Sequence, residues 1–224
     1  MALAAAVFDA YGTLLDVHSA MARHAGRVGD QWQRLSRDWR LKQLEYTWVR
    51  TLAGPAQHVD FSQLTDDALA FVASSHNIDD AALLADLRAA YRALDAYPEV
   101  PAMLRALREG GIARAILSNG EPAMLADGVA AAGLGGLLDD VLSVESVGVY
   151  KPDPRVYRLA EERFGVPAGR MAFLSSNSWD AFGAMCYGFK VFWVNRTAQP
   201  DEYGLRGQVT EISDLSALPA HLLA

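Results

Sequence analysis

Val7-Phe8-Asp9-Ala10-Tyr11-Gly12-Thr13-Leu14-Leu15 carries an acid at the end of an apolar run. With Leu3 to Ala6 before it, residues 3–8 have the length and character of a short, fully buried strand. Asp9 then stands at the strand's C-terminal end, and Gly12 allows a sharp turn directly after it. Open α/β sheets bind their ligands at C-terminal strand ends. Asp9 is therefore a nucleophile or ligand, or an Asp that caps a turn. The stretch alone leaves both open.

Beyond Leu15 the pattern changes. Residues 16–96 hold little that reads as strand. Trp39, Leu41, Leu44, Trp48 and Leu52 recur at mixed three- and four-residue steps, and Leu83, Leu84, Leu87, Tyr91 and Leu94 do the same over 80–94. Gly54-Pro55 separates helices, and Ser62 or the Thr65-Asp66-Asp67 run offers the next cap. About four helices are expected here. From Tyr97-Pro98 onward, strands alternate with helices: strands over 112–117, 140–144, 171–174, 190–194 and 208–212, helices over 99–109, 122–132, 153–164 and 178–187. Ser213 and Asp214 open a C-terminal helix. This alternation predicts an α/β fold, a parallel-sheet Rossmann-like core covered by helices on both faces. The core is split, 1–15 plus 97–224, around an inserted helical cap over 16–96.

Length and charge narrow the function. The chain of 224 residues supports one sizeable core and a smaller module. Its net charge of −7 argues against nucleic acid or an anionic membrane as partner, so an anionic substrate needs locally placed Arg or Lys. The single Cys186 excludes an internal disulfide and suits a reducing, cytoplasmic setting. No stretch approaches a membrane span, and the apolar N-terminus lacks the features of a signal peptide. The five histidines show no ligand spacing, so no zinc site is expected. Cys186 reads as packing on a buried helix.

Four polar clusters fall at strand ends, and the fold gathers such ends along one edge. They are Asp9 with Tyr11 and Thr13; Ser118-Asn119-Gly120; Lys151-Pro152-Asp153-Pro154; and Ser175-Ser176-Asn177-Ser178-Trp179-Asp180. Ser-Asn-Gly also reads as a plain turn and helix start. Lys151 also reads as a surface charge, but an ammonium beside strand-end carboxylates favours their ionised form.

Together these stretches resemble the haloacid dehalogenase superfamily over nearly the whole chain. Most of that superfamily are phosphatases with Asp-x-Asp-x-Thr in the first motif and further acids in the fourth, completing a Mg²⁺ site. Here the corresponding positions are Tyr11 and Asn177, which strips a hard cation of carboxylates it prefers. Tyr11 also cannot protonate a leaving group as a carboxylic acid does. Asp9-Ala10-Tyr11-Gly12-Thr13 and Ser175 to Asp180 are instead similar to the (S)-2-haloacid dehalogenase branch. So is Trp39-Arg40-Leu41-Lys42-Gln43-Leu44-Glu45-Tyr46-Thr47-Trp48, which otherwise reads as a helix with Arg40 solvated or paired to Glu45.

The resemblance implies roles. Asp9 attacks C2 of a short 2-haloalkanoate, and the halide leaves toward Arg40 and Asn119. Ser118 and turn amides hold the substrate carboxylate. Asn177 and Asp180 direct the water that hydrolyses the Asp9 ester, while Lys151, Thr13, Tyr157 and Ser175 steady the network. Tyr157 also reads as helix packing. Tyr11, Leu44, Phe61 and Trp179 line the pocket, and Leu41 occupies a position expected to be polar in some relatives. The resemblance implies no metal and no cofactor. Its partners are a small anionic haloacid and a halide product, in a homodimer. The rival expectations are a Mg²⁺-dependent phosphatase and a non-catalytic relative that binds small carboxylates.

Overall fold

The computed structural model describes residues 3–223. Its first strand, β1 (Ala5–Phe8), is buried along its whole length. A helical run follows: the one-turn helices α1 (Ser19–Ala22) and α2 (Ala25–Val28), then α3 (Trp32–Ala53), α4 (Phe61–Ser75) and α5 (Ala81–Arg92). The expectation of about four helices becomes three long ones and two single turns. After α6 (Val100–Glu109), strand and helix alternate: β2 (Ala113–Ser118), α7 (Pro122–Ala131), β3 (Asp140–Ser143), α8 (Pro154–Phe164), β4 (Met171–Ser175), α9 (Ser178–Tyr187) and β5 (Lys190–Val194). β6 (Thr210–Ile212) and α10 (Leu218–Leu222) close the described chain.

Six parallel strands form one sheet in the order β3-β2-β1-β4-β5-β6. The order reverses at β1, and such switch points are where doubly wound sheets open a crevice. Register makes this concrete. Phe8 lies opposite Ile116 of β2 and Leu174 of β4, and the Asp9 N–H donates to Leu174 O at 2.9 Å. The ends of three neighbouring strands, at Asp9, Ser118 and Ser175, therefore meet.

Local signals set most boundaries. Asp80 caps α5 by accepting from Leu83 N, and Gly165 ends α8 in the left-handed region at φ 65°. The start of α4 differs from expectation. Asp60, not Ser62 or Thr65, is the cap, accepting from Gln63 N at 2.8 Å. Thr65 lies inside the helix, its hydroxyl donating to Phe61 O at 2.7 Å. The C-terminal helix also starts late, because Asp214 caps a 3₁₀ turn over Leu215–Ala217 first.

On α3 the apolar stripe marks the buried face only in part. Leu41 and Leu52 are exposed, whereas Ser36, Gln43 and Thr47 are buried beside Leu35, Trp39 and Leu44. Leu41 thus faces away from any pocket beneath the helix. The physical reason appears at the strand ends, where α3 covers polar groups. Cys186 is exposed on α9, which corrects its reading as a packed residue. One continuous hydrophobic cluster joins the helical run to the sheet, with Tyr11 stacked on Tyr91 and tilted against Phe61. Among the described residues no helix is long and apolar enough to cross a membrane.

Candidate active site

Asp9 projects from the end of β1, nearly buried, and its two oxygens have different partners. Oδ2 accepts from Thr13 Oγ1 at 3.1 Å and from Asn177 Nδ2 at 2.7 Å; Oδ1 accepts, among the described residues, from Lys151 Nζ alone, at 3.2 Å. Gly12, at φ 92°, makes the turn that brings Thr13 back onto Asp9. Thr13 Oγ1 in turn accepts from Ser176 N at 2.8 Å, so the loops after β1 and β4 are tied together. Ser175 Oγ accepts from Asn177 N at 3.2 Å, which fixes the start of α9.

Lys151 is wholly buried and lies between two acids, its Nζ donating to Asp180 Oδ2 at 2.9 Å as well as to Asp9. Burial opposes its charge, but the carboxylates of Asp180 and Asp9 outweigh that and raise its pKa. Asp180 experiences the reverse balance. Burial pushes its carboxyl up to about 6; Lys151 opposes this and the Asp9 charge adds to it. Its other oxygen accepts from Tyr157 Oη at 2.8 Å. Tyr157 thus touches the acid cluster through its hydroxyl and packs its ring edge-on against Phe173. Burial raises the Tyr157 phenol, so it remains a donor at neutral pH.

Side-chain amides here have only one sensible orientation. Asn119 Oδ1 accepts from Lys151 N at 3.0 Å, leaving Nδ2 to donate elsewhere. Asn177 Nδ2 serves both Asp9 and the Tyr11 carbonyl (3.2 Å), leaving Oδ1 free to accept. Ser118 Oγ accepts from Gly120 N at 3.0 Å, so its proton is available. Arg40 reaches down from α3, NH2 donating to Tyr11 O at 3.1 Å and NH1 to Gln43 Oε1 at 2.7 Å. It is not paired to Glu45, which takes Lys42 instead.

The apolar residues divide. Phe61 and Tyr11 are in ring contact beside the Asp9 loop, and the buried Tyr11 hydroxyl has no partner among the described residues. Burial raises this phenol well above its usual value, with Tyr91 adding to the effect. Leu44 is buried under α3. Trp179 meets Trp48 edge-on at 5.5 Å, where a cleft of about 430 Å³ opens beside Lys151.

Two contributors escaped the sequence reading. Gln43 is fully buried against Arg40, and its signal was the polar spacing Ser36, Arg40, Gln43, Thr47 along one helical face. Arg196 follows β5 and donates to Thr13 O at 2.9 Å, held by Glu99 at 2.7 Å and by the Tyr97 ring at 3.7 Å. Nothing in its local sequence marks it.

A hard divalent cation does not fit this donor set. Asp9 and Asp180 are shared by one ammonium, and Asn177 turns its amide nitrogen, not its oxygen, toward Asp9. Among the described residues there is no group of three or more acids, histidines or cysteines able to hold a metal.

Comparison with known proteins follows the same line. The chain is 46% identical to (S)-2-haloacid dehalogenase 4A of Burkholderia cepacia, covering 97% of this chain and 95% of that protein. Among solved structures, a dehalogenase with an intermediate complex superposes with a TM-score of 0.96 at 43% identity, covering 100% and 98%. L-2-haloacid dehalogenase from Xanthobacter autotrophicus, with chloropropionic acid covalently bound, gives 0.89 at 35%, covering 97% of each. Residues 3–187 match the haloacid dehalogenase-like hydrolases, and with full-length relatives at this identity the chain belongs to that family.

Proposed function

We propose that this protein hydrolyses short (S)-2-haloalkanoic acids to (R)-2-hydroxy acids through an ester on Asp9, without a metal. The observation that carries the reading is the pairing of Asp9 with Lys151 and with a neutral Asn177. That arrangement keeps a carboxylate fixed and accessible at one oxygen while denying a cation its ligands. Dehalogenase relatives, two of them solved with an intermediate or a bound chloropropionic acid, support it.

Oδ2 of Asp9 already accepts two hydrogen bonds, so Oδ1 is the attacking oxygen. It forms a bond to C2 as the carbon–halogen bond breaks behind it, inverting C2. The halide leaves with the bonding pair and needs no proton; Arg40 and the free Asn119 Nδ2 receive it. Ser118 and the unpartnered Tyr11 hydroxyl donate to the substrate carboxylate. A water accepted by Asn177 Oδ1 gives a proton to Asp180 and adds to the Asp9 carboxyl carbon. Collapse breaks the bond to the substrate oxygen, which takes up a proton and becomes the product hydroxyl. One halide and one proton are released per turnover.

Residues 16–96 act as a cap over the strand ends in this reading. Two copies of the chain pair through the outer face of α3, where Leu41, Val49 and Leu52 are exposed at helical spacing. The reducing setting suited to a lone thiol makes the cytoplasm its compartment.

Oxygen tracing tests the reading. In a single turnover with excess enzyme in heavy-oxygen water, the hydroxy acid is expected unlabelled and the Asp9 peptide labelled. Label in the first-turnover product, with Asp9 unlabelled, would make Asp9 a general base instead. Halide release should survive exhaustive chelation, and a strict Mg²⁺ requirement would return the chain to phosphatase chemistry.

A further inference from the structure

We propose that Gln43 is a positioning residue for the leaving-group site, its amide locked by Thr65 so that a neutral oxygen holds the Arg40 guanidinium in place. The inference rests on the dehalogenase reading above and extends it to a residue that touches no substrate.

One side chain from each long helix of the insert converges on this amide. Gln43 of α3 is fully buried. Its Oε1 accepts from Arg40 NH1 at 2.7 Å and from Tyr91 Oη of α5 at 3.1 Å; its Nε2 donates to Thr65 Oγ1 of α4 at 2.6 Å. Thr65 decides the orientation. A hydroxyl has one proton, and Thr65 gives it to Phe61 O at 2.7 Å, so toward Gln43 it can only accept. Turning the amide over would set its NH₂ against the Arg40 and Tyr91 donors and its oxygen against the Thr65 lone pairs. Buried groups left unsatisfied in this way are costly. Tyr91 is itself fixed by stacking on Tyr11 at 5.8 Å and by Trp39 at 4.9 Å. Burial raises its phenol, which keeps the proton on the donor side.

The consequence for Arg40 is mechanical and electrostatic. Its two terminal nitrogens are anchored on opposite sides, NH1 by Gln43 and NH2 by the Tyr11 carbonyl. Tyr91 also interacts with the guanidinium, and the N–H groups of the fork not taken by Gln43, the Tyr11 carbonyl or Tyr91 are left for an anion, in a fixed direction. Both anchors are neutral oxygens, so the guanidinium keeps its full charge for the departing halide. A carboxylate at position 43 would cancel much of that charge and would set its second oxygen against the Thr65 lone pairs.

The test uses Gln43→Met, Gln43→Glu and Thr65→Val, each checked for parent-like circular dichroism and thermal midpoint. Chloride is the poorer leaving group and draws more on anion stabilisation than bromide. Turnover of 2-chloropropionate is expected to fall on the order of 10–100-fold, the scale of losing a partner that orients a functional group. Bromide turnover should fall less, so the bromo-to-chloro rate ratio rises, and inhibition by added bromide should weaken. KM should change little, because the substrate carboxylate is held elsewhere. Thr65→Val, which removes the orienting acceptor together with the hydroxyl's bond to Phe61 O and keeps the side-chain volume, should move the ratio in the same direction.

Folded variants with an unchanged bromo-to-chloro ratio and unchanged bromide inhibition would overturn the inference while leaving the dehalogenase reading intact. A parent enzyme that releases no halide from either substrate would overturn both. Should Gln43→Met fail to fold, Thr65→Val and the near-isosteric Gln43→Glu decide the matter by the same two measurements.

Discussion

Burial raises Asp180 up to about 6 although Lys151 lies 2.9 Å away, because the carboxylate has no solvent contact and the Asp9 charge adds to the effect. Below that value a growing fraction of molecules carry a neutral Asp180, which cannot take a proton from water. Ester hydrolysis should therefore fall about tenfold per unit as pH drops below 6 and level off above it. Lys151 is raised and Tyr157 remains a phenol, so neither supplies this acid limb. Rapid-quench measurement of hydrolysis against pH checks it, with Asp180→Asn expected to lose the limb and to run on the order of 10²–10⁴-fold slower. A limb that persists in Asp180→Asn assigns the titration elsewhere.

Helix contact controls where these groups sit. α8 and α9 approach closely at Gly183, where an added Cβ would lie 2.5 Å from Tyr157 Oη and 2.7 Å from Pro152 Cβ. Gly183→Ala should therefore push the Tyr157 hydroxyl off Asp180 and strain the Lys151 loop. Chemical denaturation should show a loss of about 1–3 kcal/mol, the usual range for overpacking. Ester hydrolysis should slow as well; a parent-like rate and stability would mean that the two helices part without disturbing the site. Elements like these were largely legible in the sequence. The three central strands β1, β2 and β4 are short, largely apolar runs that give way to a polar residue, so Asp9, Ser118 and Ser175 announced themselves. α3 was harder, because its Trp and Leu stripe suggested one face while the helix buries Ser36, Gln43 and Thr47 toward other polar groups. Arg196 was invisible for another reason. Its value lies wholly in distant partners, Thr13, Tyr97 and Glu99, which only the fold brings near it.

At the scale of the whole molecule, the outer face of α3 bears on assembly. Leu41, Val49 and Leu52 are 63%, 57% and 86% exposed along one helix, an unusual concentration for a surface that meets only water. Sedimentation should give twice the single-chain mass, and a joint Leu41→Glu, Val49→Glu variant should sediment as one chain with its helix content intact. A parent that sediments as a single chain would remove the pairing. The sheet has a different consequence, one of timing. β1 carries Asp9 at the centre, yet its two hydrogen-bonding neighbours, beginning at Ala113 and Met171, follow it by roughly 110 and 170 residues. On a ribosome moving at about 5–20 residues per second, that strand spends on the order of ten seconds or more with both edges bare. Holdase chaperones that shield short aliphatic segments would find Ala5–Phe8 an early client, and arrested nascent chains that end before β4 should remain protease-sensitive.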